Sequence, residues 1–243
     1  MRAALLLLAL GVTQTDEPTT ARQWLRRGVE QLNKREYEAA VRSLTRALDL
    51  ERDNADALDA RGAAQFLRGQ FAESVADFDR VVRLRPEKAN GHWRRGISLY
   101  YAGKFDEGKR QFEGYESVDT NDVENAVWHF LCAARKDGVE KARAAILKIG
   151  KDRRTPMAEV YDLFRGKAKP EDVLAAANDG KLSEQERSRA LFYAHLYLGI
   201  YHDLLGETRK AKGHLAEAAG KYKIDHYMGE VARVHHDLLA KKK

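Results

Sequence analysis

The 243-residue chain has one cysteine, Cys132, four prolines, and no apolar run approaching the roughly 18 residues that a membrane-spanning helix requires. A lone thiol excludes an internal disulfide and any zinc cluster of several thiolates within the chain. Four prolines beside eighteen glycines exclude collagen and proline-rich linkers. The excess of basic residues is small, 43 against 37 acidic ones, for a net charge of +6. Only Lys241, Lys242 and Lys243 form a basic run. Elsewhere acids interleave, as in Asp152-Arg153-Arg154. That is a solvated surface rather than a stripe for a phosphate backbone, so nucleic acid is not an expected partner. A chain that is 44% hydrophobic is too apolar to stay disordered, and it reads as folded and soluble.

The N-terminus runs Met1, Arg2, then Ala3 to Leu10 without a polar residue, followed by Gly11 and Val12. One positive charge, a short apolar core and small residues at Ala9 and Gly11 are the parts of an export signal, with cleavage expected after Gly11. The expected organisation is therefore a signal peptide over 1–11 and a linker over 12–20. A lipid anchor would need cysteine at the cleavage point, where Val12 stands. The expected mature chain is periplasmic or secreted, with no stable membrane insertion.

The body of the chain repeats. Gly28, Gly62 and Gly96 lie 34 apart, as do Tyr37, Phe71 and Phe105, and Leu44, Phe78 and Phe112. A fixed period in this range marks stacked supersecondary units. The first unit, with Trp24, Gly28, Ala40, Leu44 and Ala47, and the second, with Leu58, Gly62, Ser74, Phe78, Val81 and Pro86, resemble the tetratricopeptide repeat. That resemblance implies an all-α solenoid, a right-handed superhelix of helical hairpins. The small residue at each repeat glycine is expected to face another twelve positions on: Gly28 and Ala40, Gly62 and Ser74, Gly96 and Gly108, and later Gly199 and Ala211. Gly69, Gly103 and Gly206 are expected as left-handed turn residues, a slot that Arg35 takes in the first unit.

Three regular units fill 21–122, and 123–191 reads as degenerate helical pairs. There Ala142, Ile146 and Ile149 carry a second-helix signature, but Phe130 replaces the small residue, so the pair must splay or shift. Pro156 and Pro170 sit at expected helix starts, Gly166 and Gly180 at expected ends. Ser183 and Glu186 form a capping box before a long helix to about Leu205. A final unit and a helix from about His226 to Ala240, expected to cap the stack, fill 192–243. No period-2 stretch reads as a strand.

Catalytic and metal signatures are missing. G-x-S-x-G, G-x-x-x-x-G-K and G-x-G-x-x-G do not occur. Ser98 falls inside a predicted helix, Cys132 lies mid-helix without a neighbouring base, and His195 and His202 stand seven apart without H-E-x-x-H spacing. The Asp119, Asn121, Asp122 run lacks the glycine and glutamate of a calcium loop. No enzyme, cofactor or metal is expected; an enzyme on a helical scaffold is the weakest alternative.

In the tetratricopeptide family the first helix of each repeat lines a concave wall. The corresponding positions are Leu25, Val29 and Leu32; Ala63, Phe66 and Leu67; Trp93, Ile97, Tyr100 and Tyr101; Val127 and Leu131. Arg22, Arg26 and Arg94 fringe this apolar wall, with Asp56, Asp59 and Glu124 as negative points. An apolar stripe of that length needs an occupant: a partner peptide, the chain's own C-terminal helices or a second copy. The order of parts, with Asn125-Ala126-Val127-Trp128-His129-Phe130-Leu131, Glu159 to Gly166 and Ala190 to Gly199 between the early repeats and a late one, resembles the NlpI-type tetratricopeptide lipoproteins of bacterial envelopes. This implies a homodimeric, non-enzymatic adaptor that brings cell-wall hydrolases to a periplasmic protease. Val12 departs from the family's lipid site. The competing scaffold reading is a tetratricopeptide module of a pilus or secretion machine.

Overall fold

The computed structural model describes residues 17–241, so the signal segment and most of the linker lie outside the described residues. Among the described residues there is no strand. Six helical pairs follow one another: α1 (Ala21–Asn33) and α2 (Tyr37–Leu50), α3 (Ala55–Leu67) and α4 (Phe71–Leu84), α5 (Trp93–Tyr101) and α6 (Phe105–Tyr115), α7 (Val123–Asp137) and α8 (Val139–Ala144), α9 (Met157–Phe164) and α10 (Pro170–Ala177), α11 (Glu184–Leu204) and α12 (Thr208–Ala219). A last helix, α13 (Tyr227–Lys241), completes the α-solenoid.

Local chemistry sets the boundaries. Thr20 and Gln23 close a capping box on α1, Asn54 accepts from the Ala57 amide at the start of α3, and Ser183 with Glu186 boxes α11. Pro170 occupies the first turn of α10, where its missing N–H has no intrahelical acceptor to serve. The turns between paired helices are left-handed at Gly69, Gly103 and Gly206, with φ of 79°, 73° and 77°. Arg35 adopts the same conformation with φ of 62°, although a side chain there costs roughly 1–2 kcal/mol.

The repeat glycines serve a different partner from the one the spacing suggested. A Cβ on Gly28 would lie 2.5 Å from Leu44 Cγ, on Gly62 2.8 Å from Phe78 Cε1, on Gly96 2.5 Å from Phe112 Cζ, and on Gly199 2.6 Å from Leu215 Cγ. Each glycine thus makes room for the large residue sixteen positions on. The small residue twelve on is secondary: at Gly108 a Cβ would approach the Gly96 carbonyl only to 3.6 Å. Bulk from the second helix fills the notch in the first.

The fourth pair departs from the expected pattern. The second helix, α8, ends at Ala144, so Ile146 and Ile149 lie in the non-helical 145–153 stretch and pack on the core from there. Phe130, fully buried where a small residue would let a second helix approach, meets the Phe164 ring of α9 edge-on at 5.3 Å. In effect α9 takes up the surface a longer α8 would have covered. The intervening segment is tied back by the Gly150 amide donating to the Thr120 carbonyl at 2.8 Å. One continuous core runs from α3 to α13, with two small satellite clusters in the first two repeats.

Candidate functional site: the concave wall and the helix seated on it

The wall does not form one open face. Ile97, Tyr100, Val127 and Leu131 are core residues, each under 7% exposed, and Ala63 and Phe66 are buried as well. Leu25, Val29, Trp93, Arg94 and Tyr101 are half-buried. What covers the middle of the wall is α13. α13 packs on α12 at the end of the stack, where a cap was expected, and its side chains also reach back across the curve to the first three repeats.

The seat is aromatic. The Tyr227 ring lies nearly parallel to Phe66 at 5.7 Å and edge-on to Trp93 at 5.2 Å. Tyr101 meets Phe66 edge-on at 5.4 Å, and its hydroxyl bonds His235 Nδ1 at 2.8 Å. Arg94 places its guanidinium 5.8 Å from both the Phe78 and Tyr227 ring centres while bonding Asp59 at 2.6 Å. The fit has a flaw: the Tyr227 hydroxyl is buried without a hydrogen-bond partner, which typically costs about 1–3 kcal/mol.

A polar clasp holds the outer edge. Glu230 accepts from the Tyr37 hydroxyl at 2.7 Å, from Arg35 Nε at 2.8 Å and from Arg233 Nε at 2.8 Å. Arg233 also donates to the Leu67 carbonyl at 2.9 Å and lies over the Tyr37 ring at 5.3 Å. Burial works against the charge on Glu230, but the bonds from Arg233 and Tyr37 prevail and hold its carboxyl below the usual range. Burial and the bond to Glu230 push Tyr37 up to about 12. The clasp explains why arginine stands in the glycine slot at position 35: the side chain is needed on α13.

The charged fringe is largely internally paired. Arg85 bonds Asp56 at 2.6 Å, Arg94 bonds Asp59, Arg154 bonds Glu124 at 2.7 Å, and Arg26 faces Glu30 at 3.8 Å, while Arg22 is exposed. At the foot of α13 a cavity of about 200 Å³ stays open between α5, α6 and α7. Trp93, Phe112, Tyr115 and Trp128 wall it, with Asp122 and Glu124 on one side.

The remaining sequence candidates have structural partners. Ser98 Oγ pairs with Ser74 Oγ at 2.9 Å in the core, and Cys132 is buried, its thiol pushed well up by desolvation. Asp119 accepts from the Asn121 amide, and Asp122 caps α7. His195 and His202 come together with His214, which the spacing did not single out. His195 Nδ1 meets His214 Nδ1 at 3.0 Å, and His202 stacks on His214 at 5.4 Å. Among the described residues no three His, Cys, Asp or Glu side chains form a metal-binding group. Sequence reasoning also missed Tyr227, Glu230, Arg233 and Arg154. The legible signal was Arg35 itself, together with Tyr227, Glu230 and Arg233 at three-residue spacing, the period of one helix face.

No protein-family model matches the chain, and no curated protein matches it either. Solved structures do. A tetratricopeptide repeat protein from Parabacteroides merdae ATCC 43184 aligns over 94% of this chain and 87% of that one, at 13% identity with a TM-score of 0.53. Residues 41 to the end of MamA from Desulfovibrio magneticus RS-1 align over 92% of this chain and 97% of that one, at 15% identity with a TM-score of 0.48. At these identities the likeness concerns the fold alone, and the fold is a tetratricopeptide-type α-solenoid.

Proposed function

We propose that the protein is a non-enzymatic binding scaffold of a bacterial envelope, in which α13 holds the concave wall until a partner helix replaces it. The observation that carries this reading is the seat itself. An amphipathic helix lies in an aromatic groove, the arrangement by which helical peptides are commonly recognised. The unpartnered Tyr227 hydroxyl marks a place where a different occupant would do better. Export rests on the Ala9 to Gly11 pattern, and delivery of cell-wall hydrolases to a protease, by a homodimer, is the finer role that the NlpI-type resemblance supports.

The test is capture of partners from an envelope fraction by three forms of the protein. Loosening the clasp with Glu230→Ala should increase capture severalfold. Removing the wall anchor with Trp93→Ala should reduce it at least tenfold, as expected for a buried aromatic hot spot. Equal capture by all three forms would refute the proposal. A Trp93→Ala variant that unfolds, or that splits a dimer by light scattering, would make the wall core or self-interface.

A further inference from the structure

The cavity at the foot of α13 has a chemistry that neither the groove nor the stack requires. Its walls are the rings of Trp93, Phe112, Tyr115 and Trp128, and at about 200 Å³ it is far larger than a single water needs. Exposed His226 also lines it, from the turn that leads into α13. Two further facts concern the lining. Trp128 and Asn125 are 2% and 4% exposed, yet Trp128 Nε1 and Asn125 Oδ1 have no hydrogen-bond partner. Asn125 spends its amide nitrogen on the Phe112 carbonyl at 3.0 Å, so its oxygen is a fixed, unused acceptor.

Around the cavity carboxylates outnumber guanidiniums. Asp122, Glu124 and Asp152 share one guanidinium, Arg154, which bonds them at 2.6, 2.7 and 2.5 Å. Glu124 takes a second bond from the Tyr197 hydroxyl at 2.5 Å, a neutral donor. The Arg189 guanidinium of α11 lies close enough to act on Tyr193 and on His226. Burial, with the neighbouring Glu124, pushes Asp122 up to about 6 even with Arg154 in place. Aromatic faces with adjoining carboxylates attract a cation through the ring quadrupole and directly. An anion would meet two carboxylates at the same wall.

We propose that this cavity binds a primary ammonium group, carried by a free alkyl diamine or by a lysine side chain, between the Trp93 and Trp128 rings and the Asp122 and Glu124 carboxylates. Asn125 Oδ1 accepts one ammonium hydrogen, and Trp128 Nε1 is left to donate to an acceptor elsewhere on the ligand. Because Trp93 and Met228 belong both to the cavity and to the α13 seat, the site is complete only while α13 lies in the groove.

The test is calorimetric titration of the full chain, with tryptophan fluorescence as a second readout. The probes are cadaverine and Nα-acetyl-lysine methylamide, with hexanol and hexanoate as neutral and anionic controls. Saturable binding of an amine, and at least tenfold weaker binding of both controls, is the expected result. Cadaverine alone binding would identify a free diamine as the ligand class, and the lysine derivative alone a protein lysine. Asp122→Asn should weaken the amine at least tenfold while keeping the α7 cap, because asparagine caps as well as aspartate. Trp128→Phe, which keeps a ring but removes the indole N–H, should weaken the lysine derivative, with its carbonyl acceptors, more than cadaverine. No amine binding by the native chain, equal binding of hexanol, or unchanged affinity in Asp122→Asn would overturn the proposal.

Discussion

Gly96→Ala and Gly213→Ala are the same chemical change in two helices, and the structure assigns them opposite signs. At Gly96 the new methyl would sit 2.5, 2.8 and 3.0 Å from three ring carbons of Phe112, where ordinary contact begins near 3.4 Å. The ring is 1% exposed and the Phe112 carbonyl is held by Asn125, so neither can swing clear. Overpacking costs about 1–3 kcal/mol, three contacts at or under 3.0 Å against a fixed ring place this one at about 2–3, and the better helix propensity of alanine returns about 1. The net loss is about 1–2 kcal/mol. At Gly213, exposed on α12, nothing lies within 4 Å of the added atom, and only the gain of about 1 kcal/mol remains. For a chain of this size each kcal/mol moves the melting temperature by roughly 2–4 °C. Thermal melts followed by far-ultraviolet circular dichroism should therefore show Gly96→Ala lower by about 2–8 °C and Gly213→Ala higher by about 2–4 °C. A Gly96→Ala protein that melts at or above the native temperature would refute the notch-and-filler account of the repeat.

Arg35→Gly relieves the left-handed backbone but removes a limb of the clasp. The melting temperature should stay within a few degrees, while α13 amides lose hydrogen-exchange protection; unchanged protection would show that Arg35 does not hold the helix. Burial, reinforced by His195 and His202, lowers His214 to about 4. A histidine depressed in the fold favours the native state at neutral pH, and that contribution is lost as pH falls from about 6.5 towards 4, because the unfolded chain takes up the proton first. Asp122, raised to about 6, acts in the opposite sense over the same range, so the measurement is the difference between native protein and His214→Gln. The native protein should lose more stability than the variant between pH 7 and 4.5, and parallel curves would sink the assignment.

The 34-residue ladder was legible because its residues act through close-range geometry. Gly69, Gly103 and Gly206 mark turns by backbone conformation alone, and Ser183 with Glu186 needs only one helical turn to be recognised. The mistaken partner of each repeat glycine shows where that reasoning stops. Spacing gives the place of a small residue, but whether Ala40 or Leu44 fills it depends on how two helices cross. The shortened α8 was hinted at by Phe130, yet its replacement by α9 was not, since nothing local links Phe130 to Phe164. The aromatic positions of the wall were found by register. Their burial was not, because α13 is far away in sequence and the pairing of Glu230 with Arg35 and Tyr37 leaves no periodic trace.

That pairing changes the topology of the energy landscape. An open solenoid unfolds from its ends, since each repeat leans only on its neighbours. Here Tyr37 and Glu230, 193 positions apart, join the first pair of helices to the last helix. Closing a loop of that length in a flexible chain costs about 5 kcal/mol by the logarithmic rule, so the clasp cannot form before the stack between its ends is built. A contact made after the rate-limiting step leaves the folding rate unchanged and slows unfolding. The clasp residues should thus govern how long the native protein persists rather than how fast it arises.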